Sequence, residues 1–293
     1  MSPELATVAK PDVRTPLPVV GGIEDPITRR GRGRAFKING LRLALLVTWL
    51  ASWELAATHW IDPFFYSKPS AIWKRLVDWF SRGTAFGSVW VQIEATLKEA
   101  VYGFIIGSIA GVVFGILLGR SRFLADVLAP FIKAANAIPR IVLASLFVIW
   151  FGLGTSSKVA TAVVLVFFGV FFNAFQGARE VDATIVDNAR ILGANRRQIL
   201  TSIVLPSATS WIIASLHTAF GFALIGAVVG EFTGADKGIG LLINNAQGTF
   251  DAAGIYAGMI IITVIAVAAE WLITLLERRL LSWRPQAGSS TNT

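Results

Sequence analysis

Apolar runs of membrane-crossing length alternate with short polar segments along this chain. A helix needs roughly 20 apolar residues to cross the hydrocarbon of a bilayer. Runs near that length occupy residues 41–60, 100–119, 127–151, 158–176, 207–230 and 252–276. The pattern predicts an all-α membrane protein with about six transmembrane helices. Residues 67–83, SKPSAIWKRLVDWFSRG, follow a different rhythm. Ile72, Trp73, Leu76, Val77 and Phe80 fall on one helical face and Lys74, Arg75 and Asp78 on another, the pattern of a helix lying along the membrane surface.

Three of the apolar runs carry residues that lipid does not explain. The second holds Gly103, Gly107, Gly111, Gly115 and Gly119, a stripe of small residues along one helical face, so a neighbouring helix is expected to approach backbone to backbone. The third holds Pro130, Lys133, Asn136, Pro139 and Arg140 ahead of an apolar stretch. Two cations and two prolines are costly in lipid, so that half should face protein, the interface or a watery cavity. The fifth holds His217 near its middle. Two readings apply to it: a histidine hydrogen-bonded between helices, or one lining a pathway, where it contacts an anionic substrate or titrates with pH.

Residues 181–206, VDATIVDNARILGANRRQILTSIVLP, are a charged interruption between the fourth and fifth runs. Ile185, Ala189 and Leu192 share one helical face, and Ile199, Leu200 and Ile203 share another. Gly193 reads as a helix stop, and Asn195 followed by Gln198 as a capping restart. A helix, a bend and a second helix are expected. Arg190, Arg196 and Arg197 keep this unit out of the hydrocarbon, where each charge costs about 2.5–3.5 kcal/mol on insertion scales.

Here the chain resembles a family. Asp187-Asn188-Ala189, then Gly193, then Ile203, Leu205 and Pro206 are spaced like the EAA motif in membrane-spanning subunits of ATP-binding cassette (ABC) importers, with Asp187 and Asn188 where Glu and Ala are usual. AIPRIVLASLFVIWFGLGTSSK is similar to the nitrate, sulfonate, taurine and bicarbonate branch, with Ser145 where a proline commonly precedes the leucine. Glu231, Gly238 and Gly240 resemble that family's acidic residue and Gly-Leu-Gly pattern, with Ile239 replacing leucine, and His217 stands where many relatives carry Arg or Lys. The resemblance covers residues 41–284. It implies that Asp187, Asn188, Ala189, Gly193, Ile203, Leu205 and Pro206 form a cytoplasmic coupling helix docking on a separate ATPase, which carries the ATP and Mg. It further implies a second permease copy, an external solute-binding protein, and a small solute. Lys133, Arg140, Ser145 and His217 are the candidate pathway residues for an anion of the sulfonate, nitrate, taurine or carboxylate class. The 231–251 segment could receive the binding protein or be a simple re-entrant connection.

Composition agrees with a membrane protein: the 293 residues are 54% hydrophobic and 15% charged, and mean hydropathy is +0.64. A formal net charge of +8 raises the question of nucleic acid. The basic residues crowd the segments expected inside, among them Arg29, Arg30, Arg120, Arg122, Arg179, Arg278, Arg279 and Arg284, so membrane topology explains them instead. Both termini are then cytoplasmic, in a bacterial plasma membrane. Residues 1–40, rich in proline and ending in RRGRGRAFK, read as a disordered basic tail rather than a cleavable signal; residues 41–284 are the membrane domain and 285–293 a tail.

The chain has no cysteine, no GxxxxGK[ST] phosphate loop, and only His59 and His217 as histidines, in different runs. No thiol, metal or nucleophile-base chemistry is expected, and any ATP hydrolysis must occur on a partner. An ion-coupled secondary transporter is the alternative, although no internal repeat is apparent. A membrane-anchored interaction protein is the third class.

Overall fold

The computed structural model describes residues 26–280, and the chain divides into two units, up to Ser52 and from Trp53 onward. Helix α1 (Pro26–His59) supplies the first unit and crosses the division. It takes in residues 26–40 ahead of the apolar run at Leu41, and no proline between Pro26 and Pro63 interrupts it. The expected disordered tail therefore does not reach residue 40 as a break in secondary structure. Its residues 1–25, the tail 285–293 and Arg284 lie outside the described residues.

The second unit contains α2 (Pro63–Tyr66), α3 (Pro69–Ser81), α4 (Val89–Arg120), α5 (Arg122–Ala137), α6 (Arg140–Phe151), α7 (Thr155–Arg179), α8 (Ala183–Ile191), α9 (Arg196–Ile199), α10 (Leu205–Thr233), α11 (Ile239–Gly248) and α12 (Ala252–Leu280). Among the described residues five helices are long and apolar enough to cross a membrane, and the bent pair α5–α6 makes a sixth if counted as one crossing. That pair corrects the expected third span. Its halves meet at 86°, because Pro139 has no N–H and holds Ile138 in extended conformation at φ −66°, ψ 128°.

α7 is the central element, packed on α4 along one side and on α10 along another. Lipid tails are as apolar as leucine, so helices in a membrane associate through close packing and hydrogen bonds rather than through loss of water contact. The glycine stripe of α4 provides that packing. Gly103, Gly107, Gly111, Gly115 and Gly119 meet Ala162, Val166, Val170, Ala174 and Ala178 in turn, so the two helices run parallel in register. A Cβ on Gly107 would sit 2.7 Å from Val166 Cβ, and one on Gly115 2.7 Å from the Phe171 carbonyl oxygen. Real side chains do not approach so closely, and only hydrogen fits. α10 runs back along α7, with Gly226 against Ala162 and Gly177 against Trp211.

α3 keeps the expected amphipathic character with a shifted stripe. Ile72, Leu76 and Trp79 are buried against α11 and α12, whereas Trp73, Val77 and Phe80 are exposed. The periodicity permits either edge of the apolar face to turn inward; packing on Ile239, Leu242, Ile243 and Ile261 selects the 72–76–79 edge. Glu54, near the end of α1, accepts hydrogen bonds from the Ser70 N–H and hydroxyl at 2.9 and 2.7 Å, fixing the start of α3.

Candidate functional site

The elbow between α7 and α10 is built from local signals. Asp182 caps α8, accepting from the Thr184 N–H at 2.8 Å, and the Thr184 backbone and side-chain hydrogen bonds hold its carboxyl below the usual carboxylate range. Gly193 ends the helix at φ +85°, where an L side chain would be strained, while the Gly193 and Ala194 N–H groups donate to the Arg190 and Ala189 carbonyls, both at 2.9 Å. Asn195 and Gln198 then form the expected reciprocal capping box, at 2.9 and 2.8 Å.

The second half of the elbow runs on into the next span. α9 does not end before Pro206 but continues through a π-helical turn, Leu200–Val204, into α10. Proline at 206 removes a donor and would crowd the carbonyl four residues back; the wider turn, closed by Leu205 N–H on the Leu200 carbonyl, accommodates it without ending the helix. α9 and α10 therefore form one continuous rod from Arg196 to Thr233.

The inward side of the elbow packs on the bundle. Ile199 and Val204 are buried with Ile116, Ala174 and Ala178, and Val186, Ala189, Leu200 and Leu205 pack against them. Ile203 is half-buried. Ile185 and Leu192, placed from periodicity on the same face as Ala189, are 54% and 87% exposed, and Ile191 is 83% exposed. Asp187 and Asn188 are exposed too, with Asp187 paired to Arg190 at 3.0 Å. An apolar surface is thus presented outward by a segment whose other side belongs to the helical core.

Of the four candidate pathway residues, Arg140 lines a cavity beside the central bundle. Arg140 and Asn136, 3.0 Å apart across the α5–α6 break, line a cavity of about 380 Å³ with Phe168, Gly169, Phe172 and Phe222 of α7 and α10. Lys133 is exposed on α5 and does not line it. Ser145 donates to the Ile141 carbonyl within α6 at 3.3 Å. His217 lies 3.0 Å, through Nδ1, from Glu270 Oε1 of α12. Glu270 was missed in the sequence, although an acid eighteen residues into an apolar run is itself a signal.

At the opposite end of the α4–α7–α10 bundle the structure assembles a buried polar knot. Thr96 donates to Glu231 Oε1 at 2.6 Å and accepts from the Ile239 N–H at 2.9 Å. Gln92 Oε1 accepts from Gly238 N–H at 2.8 Å, and Glu231 Oε2 from Gly240 N–H at 2.5 Å. Lys158 and Glu231 are fully buried and Glu99 is 3% exposed. Lys158 Nζ donates to the Leu153 and Gly154 carbonyls. The 231–251 segment, with α11, is pinned by this knot at its start. Glu231, Gly238 and Gly240 stood out in the sequence; Gln92, Thr96, Glu99 and Lys158 did not. A signal was present: Gln92, Thr96 and Glu99 continue the glycine stripe of α4 along the same helical face.

Among the described residues no group of three or more His, Cys, Asp or Glu could hold a metal ion. Comparison with known proteins gives consistent matches. The family described as binding-protein-dependent transport system inner membrane component matches residues 107–282. The riboflavin transport system permease protein RibX of Chloroflexus aurantiacus is 33% identical over 82% of this chain and 87% of that protein. The taurine transport system permease protein TauC of Escherichia coli is 28% identical over 83% of this chain and 88% of that protein. An inward-facing structure of the MetNI methionine ABC transporter shares the fold, with a TM-score of 0.51 at 19% identity over 66% of this chain and 93% of that one.

Proposed function

This chain belongs to the binding-protein-dependent transport system inner membrane component family, and from that premise we propose which residues drive transport and what they carry. The chain is a multi-pass permease subunit of an ABC importer and not itself an enzyme. Asp187, Asn188, Ala189, Gly193, Ile203, Leu205 and Pro206 form its coupling elbow. One observation carries this reading: exposed Ile185, Ile191 and Leu192 offer an apolar surface to a partner ATPase, while Val186 and Ala189 of the same short helix are packed into the bundle. Force on the elbow then has two outlets. It reaches α4 and α7 through Ile116, Ala174 and Ala178, and α10 through the unbroken rod from Arg196 to Thr233. Closure of the paired ATPases would tilt α10 and alter the cavity at Arg140, exchanging inward-open and outward-open states.

In this proposal the α5–α6 pair counts as one crossing, so the elbow and both termini face the cytoplasm and the knot faces outward, where a binding protein delivers the solute. The excess of arginine at the elbow end supports that orientation. The solute is a small anion: Arg140 lines a cavity between α6, α7 and α10, and relatives named for riboflavin and for taurine indicate that the shared architecture does not set the cargo. A second copy completes the pathway. Because the chain has no cysteine, single-cysteine labelling is clean. Asn188→Cys should react with a membrane-impermeant maleimide only from the cytoplasmic side and cross-link to the ATPase. Labelling from outside, or uptake by the permease alone under an ion gradient, would sink the reading and favour an ion-coupled transporter.

A further inference from the structure

At the elbow end, a cleft of about 370 Å³ opens between the α4–α5 turn, the end of α7 and the inner wall of the elbow. Arg120, Arg122, Arg179 and Arg190 all line it, and the only carboxylate among its lining residues is Asp187. Four cations come from four different helices, so this is not a run of basic residues in sequence but a convergence made by the fold. The single acid is already engaged with Arg190 at 3.0 Å. Arg179 is held with its guanidinium 5.3 Å from the Phe175 ring centroid, which orients it without neutralising it. Arg120 and Arg122 have no ion-pair partner among the described residues. The rest of the wall includes Val186, Ile199 and Val204, so strong positive charge and apolar surface share one cleft.

We propose that this cleft binds the headgroup of an anionic phospholipid from the leaflet beside the elbow and thereby braces the elbow against the bundle. The placement in the cytoplasmic leaflet rests on the orientation proposed above. The chemistry is that of an amphiphile. Guanidinium groups take phosphate oxygens in pairs, and the apolar wall takes the glycerol and the first methylenes, which a free phosphate would leave against water. The negative potential of a cytoplasmic leaflet draws basic residues near the surface, at about 1 kcal/mol each. Exposed Ile185, Ile191 and Leu192 do not line the cleft, so lipid and ATPase use separate surfaces of the elbow.

The test uses the purified transporter with its ATPase partner, in nanodiscs of phosphatidylcholine with or without a minor fraction of phosphatidylglycerol. Retained phosphatidylglycerol is measured by native mass spectrometry and ATP hydrolysis is followed in parallel. Wild type is expected to retain phosphatidylglycerol and to hydrolyse ATP in a manner dependent on it. Arg122→Gln should weaken retention roughly fivefold and the triple change Arg120→Gln, Arg122→Gln, Arg179→Gln roughly a hundredfold. The corresponding triple lysine variant, which keeps the charge and guards against a folding defect, should stay within about tenfold of wild type. Lys74→Gln on α3 should change nothing. Wild-type retention in the triple glutamine variant overturns the proposal. So does inorganic phosphate reproducing the effect in pure phosphatidylcholine, which would make a free anion the ligand. Failure of the coupling assignment reads differently: the ATPase then fails to associate through the elbow in every lipid, while retention by the permease still reports on the cleft.

Discussion

The two ends of the α4–α7–α10 bundle are built on opposite principles. At the knot end Glu99, Lys158 and Glu231 are withdrawn from solvent, and the hydrogen bonds from Thr96 to Glu231 and from the Gly238 and Ile239 N–H groups to Gln92 and Thr96 link segments more than a hundred residues apart. At the elbow end the charges of Arg120, Arg122, Arg179 and Arg190 stay exposed, and the capping hydrogen bonds that shape the segment span two to five residues. Buried polar groups have high stakes: complete networks rigidify, and removal of one member leaves others unpaired in a medium that cannot solvate them. Local caps contribute less each and can be lost one at a time. The difference suits a fixed end and a driven end joined by a dry, parallel helix pair.

The sharpest way to break the comparison is to break what both ends share. Gly111→Leu forces a branched side chain where even a Cβ would lie 2.9 Å from Val170 Cβ and 3.0 Å from the Phe167 carbonyl oxygen. α4 and α7 must separate, and neither end keeps its geometry. Overpacking costs about 1–3 kcal/mol where side chains can yield, and more where backbone is the obstacle. Complete loss of monodisperse protein in mild detergent is expected; normal yield and elution would show that the stripe is not the seam.

Next in size is a change confined to the knot. Glu231→Ala strands the Gly240 N–H and leaves the Thr96 hydroxyl only the Gln92 carbonyl at 3.2 Å, and should destabilise by about 1–3 kcal/mol. Glu231→Gln can still accept from one of them and should recover part of that. Thermal unfolding of the purified chain gives the order wild type, Gln, Ala. Equal midpoints for all three would mean that the knot does not secure this end, and the proposed contrast with the elbow would fail.

What could be read from the sequence follows the same division. The elbow was legible because its determinants are near neighbours: Asn195 and Gln198 cap each other, and Gly193 stops α8 where the apolar rhythm pauses. The helix pair was legible in the regular spacing of Gly103 to Gly119, though not its partner or its parallel sense. The knot was only partly visible, since nothing local couples Thr96 to Glu231. Periodicity gave the apolar faces but not the edge that packs on protein, which is Trp79 rather than Trp73 in α3 and Val186 rather than Ile185 in α8. Neighbouring positions on a helix differ by too small a rotation for spacing to decide; the packing partner decides. Pro139 was visible as an anomaly, while its consequence, an 86° break holding Arg140 at a cavity, depends on α7 and α10 being there to receive α6.

The elbow can be loosened without touching the knot. Asn195→Ala removes the acceptor for the Gln198 N–H and should cost about 1 kcal/mol, felt in the elbow alone. Hydrogen exchange should quicken roughly fivefold at residues 196–199 with the knot unchanged, and uptake should fall while assembly with the ATPase persists. Unfolding of the whole chain at lower temperature by as much as in Glu231→Ala would erase the distinction between the ends.

The smallest expected effect tests whether α8 can open by itself. Hydrogen bonds from Thr184 depress the carboxyl of Asp182, so the charged form is favoured in the folded cap. A depressed acid contributes stability above its unfolded pKa and loses it as pH falls through the folded value. Between neutral pH and the top of the ordinary aspartate range nothing should change; below that, the first turn of α8 should fray progressively. Asp182→Asn keeps a good capping side chain but no titration, so its exchange at Thr184, corrected for the intrinsic rate, should lack that acid-induced loss. If wild type and Asp182→Asn fray alike in acid, the cap is not what holds the start of α8, and the elbow's stiffness must come from the packing of Val186 and Ala189 on the bundle instead.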